Sequence, residues 1–214
     1  MYLLNDEPLF PPVDLADEDG LLAIGGDLSI ERLLVAYRSG IFPWYNPNEP
    51  ILWWSPDPRF VLFPQELKVS KSMQTVLRNG RYRFTINRAF AQVIQQCKTT
   101  TRKGQQGTWI SPDVQAAFNE LHQLGYAHSA EAWMNGQLVG GLYGIRMGKA
   151  FFGESMFSQE SNASKFAFIK YVQQLQKEDV VLVDCQVHTA HLESLGARMI
   201  SRAAFSEKLD ELIR

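Results

Sequence analysis

Two polar side chains directly follow an apolar run near residue 184. Residues 180–183 read Val-Val-Leu-Val, and the chain continues with Asp184, Cys185 and Gln186. The run predicts a buried strand, and a carboxylate at its end needs a hydrogen-bonded or charged partner. Gln186 projects to the same side of an extended chain as Asp184. Asp184 is therefore either a strand-end cap or a functional acid. In the second case the pair holds and orients an attacking amine, and Asp184 accepts the proton of the amine directly or through water.

A second acid, Glu154, follows another predicted strand, residues 149–152, and lies in the apolar and aromatic segment 153–158. A carboxylate in this position commonly belongs to a surface loop, but two acids at neighbouring strand ends favour a shared site. His188 and His191 lie close to Glu193, yet metal ligation needs more convergence than this, so no metal is expected. Cys185 is interpreted as a packing residue.

Positive charge is concentrated between residues 68 and 103. The residues concerned are Lys68, Lys71, Arg78, Arg81, Arg83, Arg88, Lys98, Arg102 and Lys103. A solvated surface is the usual role of such residues, and a footprint for a phosphate backbone is the alternative. The formal net charge of −2 argues against tight wrapping of long nucleic acid and fits a modest, local contact.

The composition is that of a soluble globular protein. Of 214 residues, 45% are hydrophobic and 21% are charged, which excludes wholesale disorder. Two cysteines, Cys97 and Cys185, do not make a disulfide framework and are expected to be reduced thiols. The N-terminal residues lack the pattern of a signal peptide, and no apolar run approaches the roughly 20 residues of a membrane span. A cytoplasmic protein that does not enter the membrane is expected.

Periodicity and capping signals predict a mixed α/β fold around a mostly antiparallel sheet. Helices are predicted over residues 30–39, 72–78, 88–97, 111–124, 162–177, 189–195 and 206–213, and strands over residues 60–63, 82–86, 129–134, 137–145, 149–152 and 180–184. Asn135-Gly136 predicts the turn of a hairpin. Residues 41–58, rich in proline and tryptophan, are predicted to be a rigid loop that presents Trp44, Tyr45, Trp53 and Trp54. Residues 99–107 are predicted to be a mobile loop.

Several unusual blocks, in the same order along nearly the whole chain, resemble the leucyl/phenylalanyl-tRNA–protein transferase family. They are residues 20–28 (Gly-Leu-Leu-Ala-Ile-Gly-Gly-Asp-Leu), 36–37 (Ala-Tyr), 40–44 (Gly-Ile-Phe-Pro-Trp), 53–59 (Trp-Trp-Ser-Pro-Asp-Pro-Arg), 107–110 (Gly-Thr-Trp-Ile), 153–158 (Gly-Glu-Ser-Met-Phe-Ser), 162–165 (Asn-Ala-Ser-Lys) and 184–186 (Asp-Cys-Gln). The resemblance implies a small N-terminal domain, residues 1–60, packed on a GNAT-like acyltransferase domain, residues 61–214.

The resemblance also implies a reaction. Leu or Phe, and Met less well, would pass from aminoacyl-tRNA to the α-amino group of proteins that begin with Arg or Lys, marking them for degradation by the bacterial N-end rule. No cofactor is expected, because an aminoacyl ester is already activated. Asp184, Gln186 and Glu154 are the expected catalytic residues. Gln186 would orient the amine, Glu154 would meet the cationic acceptor or help to orient the amine, and Asp184 would act as a general base or within a proton relay assisted by the 2′-hydroxyl of the tRNA. Arg78, Arg81 and Arg83 are the expected contacts to the tRNA backbone. The aminoacyl end of the tRNA is expected to meet Tyr37, Trp44, Trp109, Leu142, Phe151 and Ser158.

Two other functions compete with this interpretation. An acyl-CoA transferase of the GNAT type would bind pyrophosphate on a Gly-rich loop that opens a helix, and no such segment precedes residues 162–177. A non-catalytic RNA-binding module would use the same aromatic residues for stacking, but it has no need of paired acids beside an apolar pocket.

Overall fold

The computed structural model describes residues 2–100 and 109–213. Over these residues the strands are β1 (Tyr2–Leu4), β2 (Leu21–Gly25), β3 (Phe42–Pro43), β4 (Leu52–Trp54), β5 (Arg59–Leu62), β6 (Arg83–Ile86), β7 (Ala127–Met134), β8 (Gln137–Met147), β9 (Ala150–Ser158), β10 (Leu182–Asp184) and β11 (Arg198–Ile200). The α-helices are α1 (Ile30–Arg38), α2 (Lys71–Arg78), α3 (Phe90–Thr99), α4 (Pro112–Gln123), α5 (Ala163–Lys177), α6 (Ala190–Glu193) and α7 (Arg202–Leu212). The loop predicted over residues 99–107 lies mostly outside the described residues.

A seven-stranded sheet in the order β11-β5-β10-β9-β8-β7-β6 forms the centre of the fold. Every neighbouring pair is antiparallel except β9 and β10, which are parallel and joined through α5. Alternate residues of β8 face opposite sides: Leu142 packs with residues of α5, and Tyr143 with residues of α3 and α4. The predicted mixed α/β fold with a mostly antiparallel sheet is confirmed.

Local signals account for several of these elements. Asn135 and Gly136 have φ angles of 52° and 80°, and positive φ at both central residues is what a tight β7–β8 hairpin requires. Helix α4 begins where predicted, since Ser111 Oγ accepts the amide of Val114 at 3.1 Å and Pro112 takes the first helical position.

A second, four-stranded sheet has the order β1-β2-β4-β3 and corrects the prediction of a rigid loop over residues 41–58. Strand β4 lies between β2 and β3, and the indole of Trp53 is fully buried and donates to the carbonyl of Gly25 at 2.9 Å. The prolines are compatible with this sheet because Pro43 lies on the edge strand β3, where a missing N–H costs little, and the others lie outside the strands.

Both sheets share one hydrophobic core. Leu22 and Trp53 of the small sheet belong to the same buried cluster as Val61 and Leu182 of the large one. The division of the chain into domains at residues 1–60 and 61–214 stays a prediction.

Strands β9 and β10 separate after only three paired positions, and this separation creates the main cavity. Their register runs from Leu182 opposite Ala150 to Asp184 opposite Phe152. Beyond Phe152, β9 continues along β8 as far as Ser158, whereas the chain after Asp184 turns away. The space between the diverging chains lies at the C-terminal ends of parallel strands, a common position for ligand sites in α/β proteins.

Candidate active site

A cavity of about 480 Å³ occupies the separation between β9 and β10. Residues 153–156 of β9 and residues 183–187 line it, and Phe168 of α5 also contributes to the lining. The lining is predominantly apolar, with a few converging polar groups, as is typical of small-molecule sites. A second cavity of similar volume, beside Arg38 and Arg146, contains none of the predicted site residues.

Six of the predicted site residues line the main cavity, although they come from distant parts of the chain. They are Trp44, Trp109, Leu142, Glu154, Asp184 and Gln186. Trp44 is 46% exposed and its ring meets that of Trp54 at 5.9 Å between centroids, so that it stands at the mouth of the cavity.

Three of the predicted pocket residues, Tyr37, Phe151 and Ser158, do not line the cavity. Phe151 is fully buried beneath α5, where its ring packs edge-on against Tyr171 at 5.0 Å. Ser158 is exposed at the end of β9, where its Oγ accepts the amide of Ser164 at 3.1 Å and donates to the carbonyl of Glu160 at 2.8 Å. Phe151 therefore belongs to the core beneath α5, because alternation along β9 turns it away from the cavity. Ser158, at the end of β9, belongs to the hydrogen bonds at the start of α5.

Glu154 lies within β9 and not in a loop after it, and a β-bulge directs its side chain. Gly144 of β8 pairs with Gly153 and Tyr143 pairs with Ser155, which leaves Glu154 as the extra residue. A bulge of this kind re-aims the side chain of the unpaired residue. Gly144 is required beside it, because a Cβ atom there would lie 2.1 Å from the carbonyl oxygen of Phe152.

The carboxyl group of Glu154 is held by a hydrogen bond from Tyr37, a residue that does not itself line the cavity. The Tyr37 hydroxyl donates to Glu154 Oε1 at 2.7 Å, and the Tyr37 ring packs edge-on against Phe152. Burial raises the pKa of Glu154 from 4.5 to about 8; the Tyr37 hydrogen bond opposes this shift, the charge of Asp184 adds to it, and that of Arg59 opposes it. Burial and the neighbouring Glu154 raise the pKa of Tyr37 well above 10, so the phenol keeps its proton.

Asp184 is fully buried and forms a two-point ion pair with Arg59. Arg59 Nε donates to Asp184 Oδ1 at 2.8 Å, and Arg59 Nη2 donates to Oδ2 at 2.7 Å. Oδ1 also accepts the amide of Gln186 at 3.0 Å. The charged partner that a buried carboxylate at a strand end needs is thus Arg59, which the sequence interpretation did not single out; its only signal was its place at the end of the block 53–59.

Gln186 occupies a tight turn immediately after β10. Its φ is 57°, and the amide of Val187 donates to the carbonyl of Cys185 across it at 2.7 Å. This three-residue turn with positive φ at its centre is rare and strained. The amide of Phe60 donates to the carbonyl of Gln186 at 3.2 Å, so β5 contributes to holding the turn.

Among the described residues, the remaining polar groups near the cavity include neither a cluster of metal ligands nor an activated thiol. No group of three potential metal ligands occurs among residues 2–100 and 109–213. Burial, followed by the charge of Asp184, raises the pKa of the Cys185 thiol, which is opposite to what a nucleophile needs. His191 lines the cavity, and burial together with the charge of Lys165 lowers its pKa, which keeps the ring neutral at pH 7. His188 meets Glu193 at 3.1 Å.

The three arginines that are predicted to contact the tRNA backbone are exposed. Arg78 lies in the last turn of α2, Arg83 on the edge strand β6, and Arg81 between them, where it pairs with Glu160 at 2.8 Å. Arg102 and Lys103 lie outside the described residues. In the part of the chain that the structure describes, no helix is long and apolar enough to cross a membrane.

The fold and the cavity together have the features of an enzyme. An acid with a pKa near 8, a second acid held by an arginine and an apolar cavity with aromatic walls meet where two parallel strands separate. Within this class, the family described as leucyl/phenylalanyl-tRNA protein transferase matches residues 61–210, and the N-terminal domain of the same family matches residues 26–57. The chain belongs to this family of aminoacyltransferases.

Relatives align over nearly the whole chain. The leucyl/phenylalanyl-tRNA–protein transferase of Christiangramia forsetii is 56% identical over 96% of this chain and 98% of its own length. That of Syntrophobacter fumaroxidans is 55% identical over 100% of this chain and 91% of its own length. Among solved structures, a GCN5-related N-acetyltransferase from Kribbella flavida overlaps with a TM-score of 0.40 at 11% identity, over 78% of this chain and 60% of that chain. An overlap this loose carries no argument about the chemistry of the site.

Proposed function

We propose that this protein transfers Leu or Phe, and Met less well, from aminoacyl-tRNA to the α-amino group of proteins that begin with Arg or Lys. The products would be marked for degradation by the bacterial N-end rule, in the cytoplasm. Membership of the family supports the donor and the reaction. The observation that carries the proposal is the convergence of Glu154, Gln186 and two tryptophans on one largely apolar cavity.

The cavity suits the aminoacyl end of a charged tRNA. Leu142, Met156 and Phe168 present apolar surface to an aminoacyl side chain. Contacts of this kind discriminate between similar apolar groups by only about 1–3 kcal/mol, which fits the acceptance of Leu, Phe and Met together. Trp44 and Trp109 offer aromatic faces on which the terminal base can stack.

Aminolysis of the ester requires an unprotonated amine, and it requires no added energy source because the ester is already activated. The α-amine of the acceptor attacks the ester carbonyl carbon, the new C–N bond forms, and the bond to the ribose oxygen breaks. An α-amino group has a pKa of about 8, so it reaches the enzyme largely as an ammonium. A proton acceptor with a similar pKa, held within reach of the amine, serves this step best.

We assign the role of proton acceptor to Glu154, instead of to Asp184 as the sequence predicted. The pKa of Glu154 is about 8, and its carboxyl group borders the cavity. A cationic acceptor beside it favours the ionised form. The ammonium first loses one proton to solvent to become the attacking amine. As the C–N bond forms, the carboxylate of Glu154 takes the second proton from that nitrogen and passes it to the departing ribose oxygen. Both oxygens of Asp184 already accept hydrogen bonds from Arg59, so Asp184 acts by holding the site. Gln186, which cannot take a proton, orients the amine.

The basic surface is proposed to meet the phosphate backbone of the tRNA. Arg78, Arg81 and Arg83 are exposed on α2, β6 and the segment between them. Contacts of this kind add affinity and position the acceptor arm without reading its sequence.

A transfer assay tests the proposed function directly. Purified protein is incubated with radiolabelled Leu-tRNA and a peptide that begins with Arg, and a matched peptide that begins with Glu serves as the control. We expect a Leu-Arg product with the first peptide alone. Absence of product with Leu-tRNA and Phe-tRNA would overturn the proposal, and acyl transfer from acetyl-CoA in parallel reactions would point to a different acyltransferase.

A further inference from the structure

Arg59 is the most completely enclosed cation of the catalytic region. It is 1% exposed, and its guanidinium donates to three acceptors: both oxygens of Asp184 and, at 3.1 Å, the carbonyl of Gly40. The rings of Phe42 and Phe205 lie 4.8 Å and 4.6 Å from its central carbon. Segments near residues 40, 59, 184 and 205 therefore meet at this one side chain.

Hydrogen bonds connect the Arg59–Asp184 ion pair to the backbone of Gln186. Asp184 Oδ1, which Arg59 Nε holds, accepts the amide of Gln186, and Phe60, the next residue along β5, donates to the carbonyl of Gln186. The strained turn is thus restrained at its amide and at its carbonyl by groups that belong to, or depend on, one short segment of β5. A strained backbone persists only where its surroundings over-determine it.

We propose that Arg59 is a positioning residue for the transfer step. Through the carboxylate of Asp184 it holds the strained turn that directs the side chain of Gln186 towards the acceptor amine. Arg59 does not border the cavity and touches no substrate. The inference rests on the proposed function, because it assigns Gln186 to the amine and so ties the effect of Arg59 to turnover and not to tRNA affinity.

The planar fork of arginine is what this position requires. A guanidinium reaches both carboxylate oxygens with parallel N–H groups and keeps a third nitrogen for the carbonyl of Gly40. An ammonium is a point charge on a flexible stem and cannot reproduce this geometry, although it preserves the charge that the buried Asp184 needs. Arg59→Lys therefore loosens the orientation of Asp184 while it keeps the site electrically balanced.

The experiment compares Arg59→Lys with wild type and with Arg32→Lys. Arg32 is a matched control, since its guanidinium is also fully buried and paired, with Asp27 at 3.3 Å, but it lies in the N-terminal region away from the cavity. We expect Arg59→Lys to lower kcat by on the order of 10²-fold with KM for Leu-tRNA changed less than threefold, as small misplacements at a reacting centre do. Arg32→Lys is expected to lower Tm and to keep kcat.

Hydrogen exchange supplies a readout that a general loss of stability would not move. In Arg59→Lys the amide of Gln186 should exchange at least tenfold faster, while that of Ile145 in the β7–β8 ladder keeps its rate. Phe205→Leu, which removes one aromatic face from the guanidinium, is the milder second variant and should lower kcat two- to fivefold. It decides the question if Arg59→Lys does not fold.

The outcomes separate this inference from the proposed function. Failure of the wild type to transfer Leu would overturn the proposed function. Transfer by the wild type with unchanged kcat in Arg59→Lys, or in Phe205→Leu where Arg59→Lys does not fold, would overturn the positioning role. A rise in KM for Leu-tRNA that accounts for the whole loss would also overturn it, as would equal acceleration of exchange at Gln186 and Ile145.

Discussion

Replacement of Tyr37 by Phe tests the identity of the proton acceptor. The substitution removes the hydroxyl that donates to Glu154 Oε1 and leaves the ring against Phe152. Because that hydrogen bond stabilises the carboxylate, its loss raises the pKa of Glu154 further. A hydrogen bond to a charged group contributes about 1.5–3 kcal/mol, and 1.36 kcal/mol corresponds to one pKa unit, so the expected shift is about 1–2 units.

The pH dependence of kcat/KM measures this shift. Its rising limb reports the free enzyme, and we expect it near pH 8 in the wild type and near pH 9–10 in Tyr37→Phe. At pH 7.5 the smaller fraction of ionised Glu154 should lower kcat/KM by roughly 10- to 100-fold, with recovery as the pH rises. The same Arg-initiated peptide serves for both enzymes, so the titration of its own amine is common to the two profiles.

A matched tyrosine and a direct titration complete the experiment. Tyr126→Phe removes the hydroxyl of a partly exposed tyrosine that does not line the main cavity, and its profile should coincide with that of the wild type. Carbon-13 NMR of the glutamate carboxyl groups follows the ionisation of Glu154 without turnover. A limb that stays in place in Tyr37→Phe, or that moves to lower pH, would refute the assignment of the proton to Glu154.

Three further predictions concern stability, the donor end and the tRNA backbone. Between pH 4.5 and about 8, folded Glu154 keeps a proton that the unfolded chain has lost, so wild-type stability falls as the pH rises through this window. Glu154→Gln lacks this loss, and denaturation at pH 5 and 8 should show about 2–4 kcal/mol less change than the wild type; equal changes would contradict the raised pKa. Trp109→Ala should weaken binding of a Leu-tRNA analogue by about 1–3 kcal/mol, and unchanged affinity would remove Trp109 from the donor site. Changing Arg78, Arg81 and Arg83 to Gln together should reduce the slope of log K against log salt by about 2–3, whereas an unaltered slope would place the footprint elsewhere.

Local sequence signals determined most of the long elements. Hydrophobic periodicity, the Asn135-Gly136 turn and the Ser111-Pro112 start predicted all seven α-helices of the described residues and the strands from β5 to β10. The prediction missed β1–β4 and β11, which contain two to five residues each. Over so few residues a period is not decisive, and among the strands of this length only β5, β6 and β10 were predicted. Proline content then favoured a loop where β4 forms the interior of a sheet.

Part of the candidate site could be predicted from the sequence. Strand-end acids and unusual aromatic blocks led to Glu154, Asp184, Gln186, Trp44 and Trp109, and all five border one cavity. The chemical roles of Glu154 and Asp184 could not be predicted in the same way, because the ionisation of an acid depends on neighbours that are remote in sequence.

The tertiary structure alone decided which neighbours each acid has. Tyr37 and Glu154 are separated by 117 residues, and Arg59 and Asp184 by 125. A periodic pattern reports which face of a strand is apolar, but it contains no information on which distant strand lies beside it or in what register. The sequence thus determined the acids and the elements that carry them. The pairing of β5, β9 and β10, together with the bulge at Glu154, decided that one acid is fixed by an arginine and the other is left with a pKa near 8.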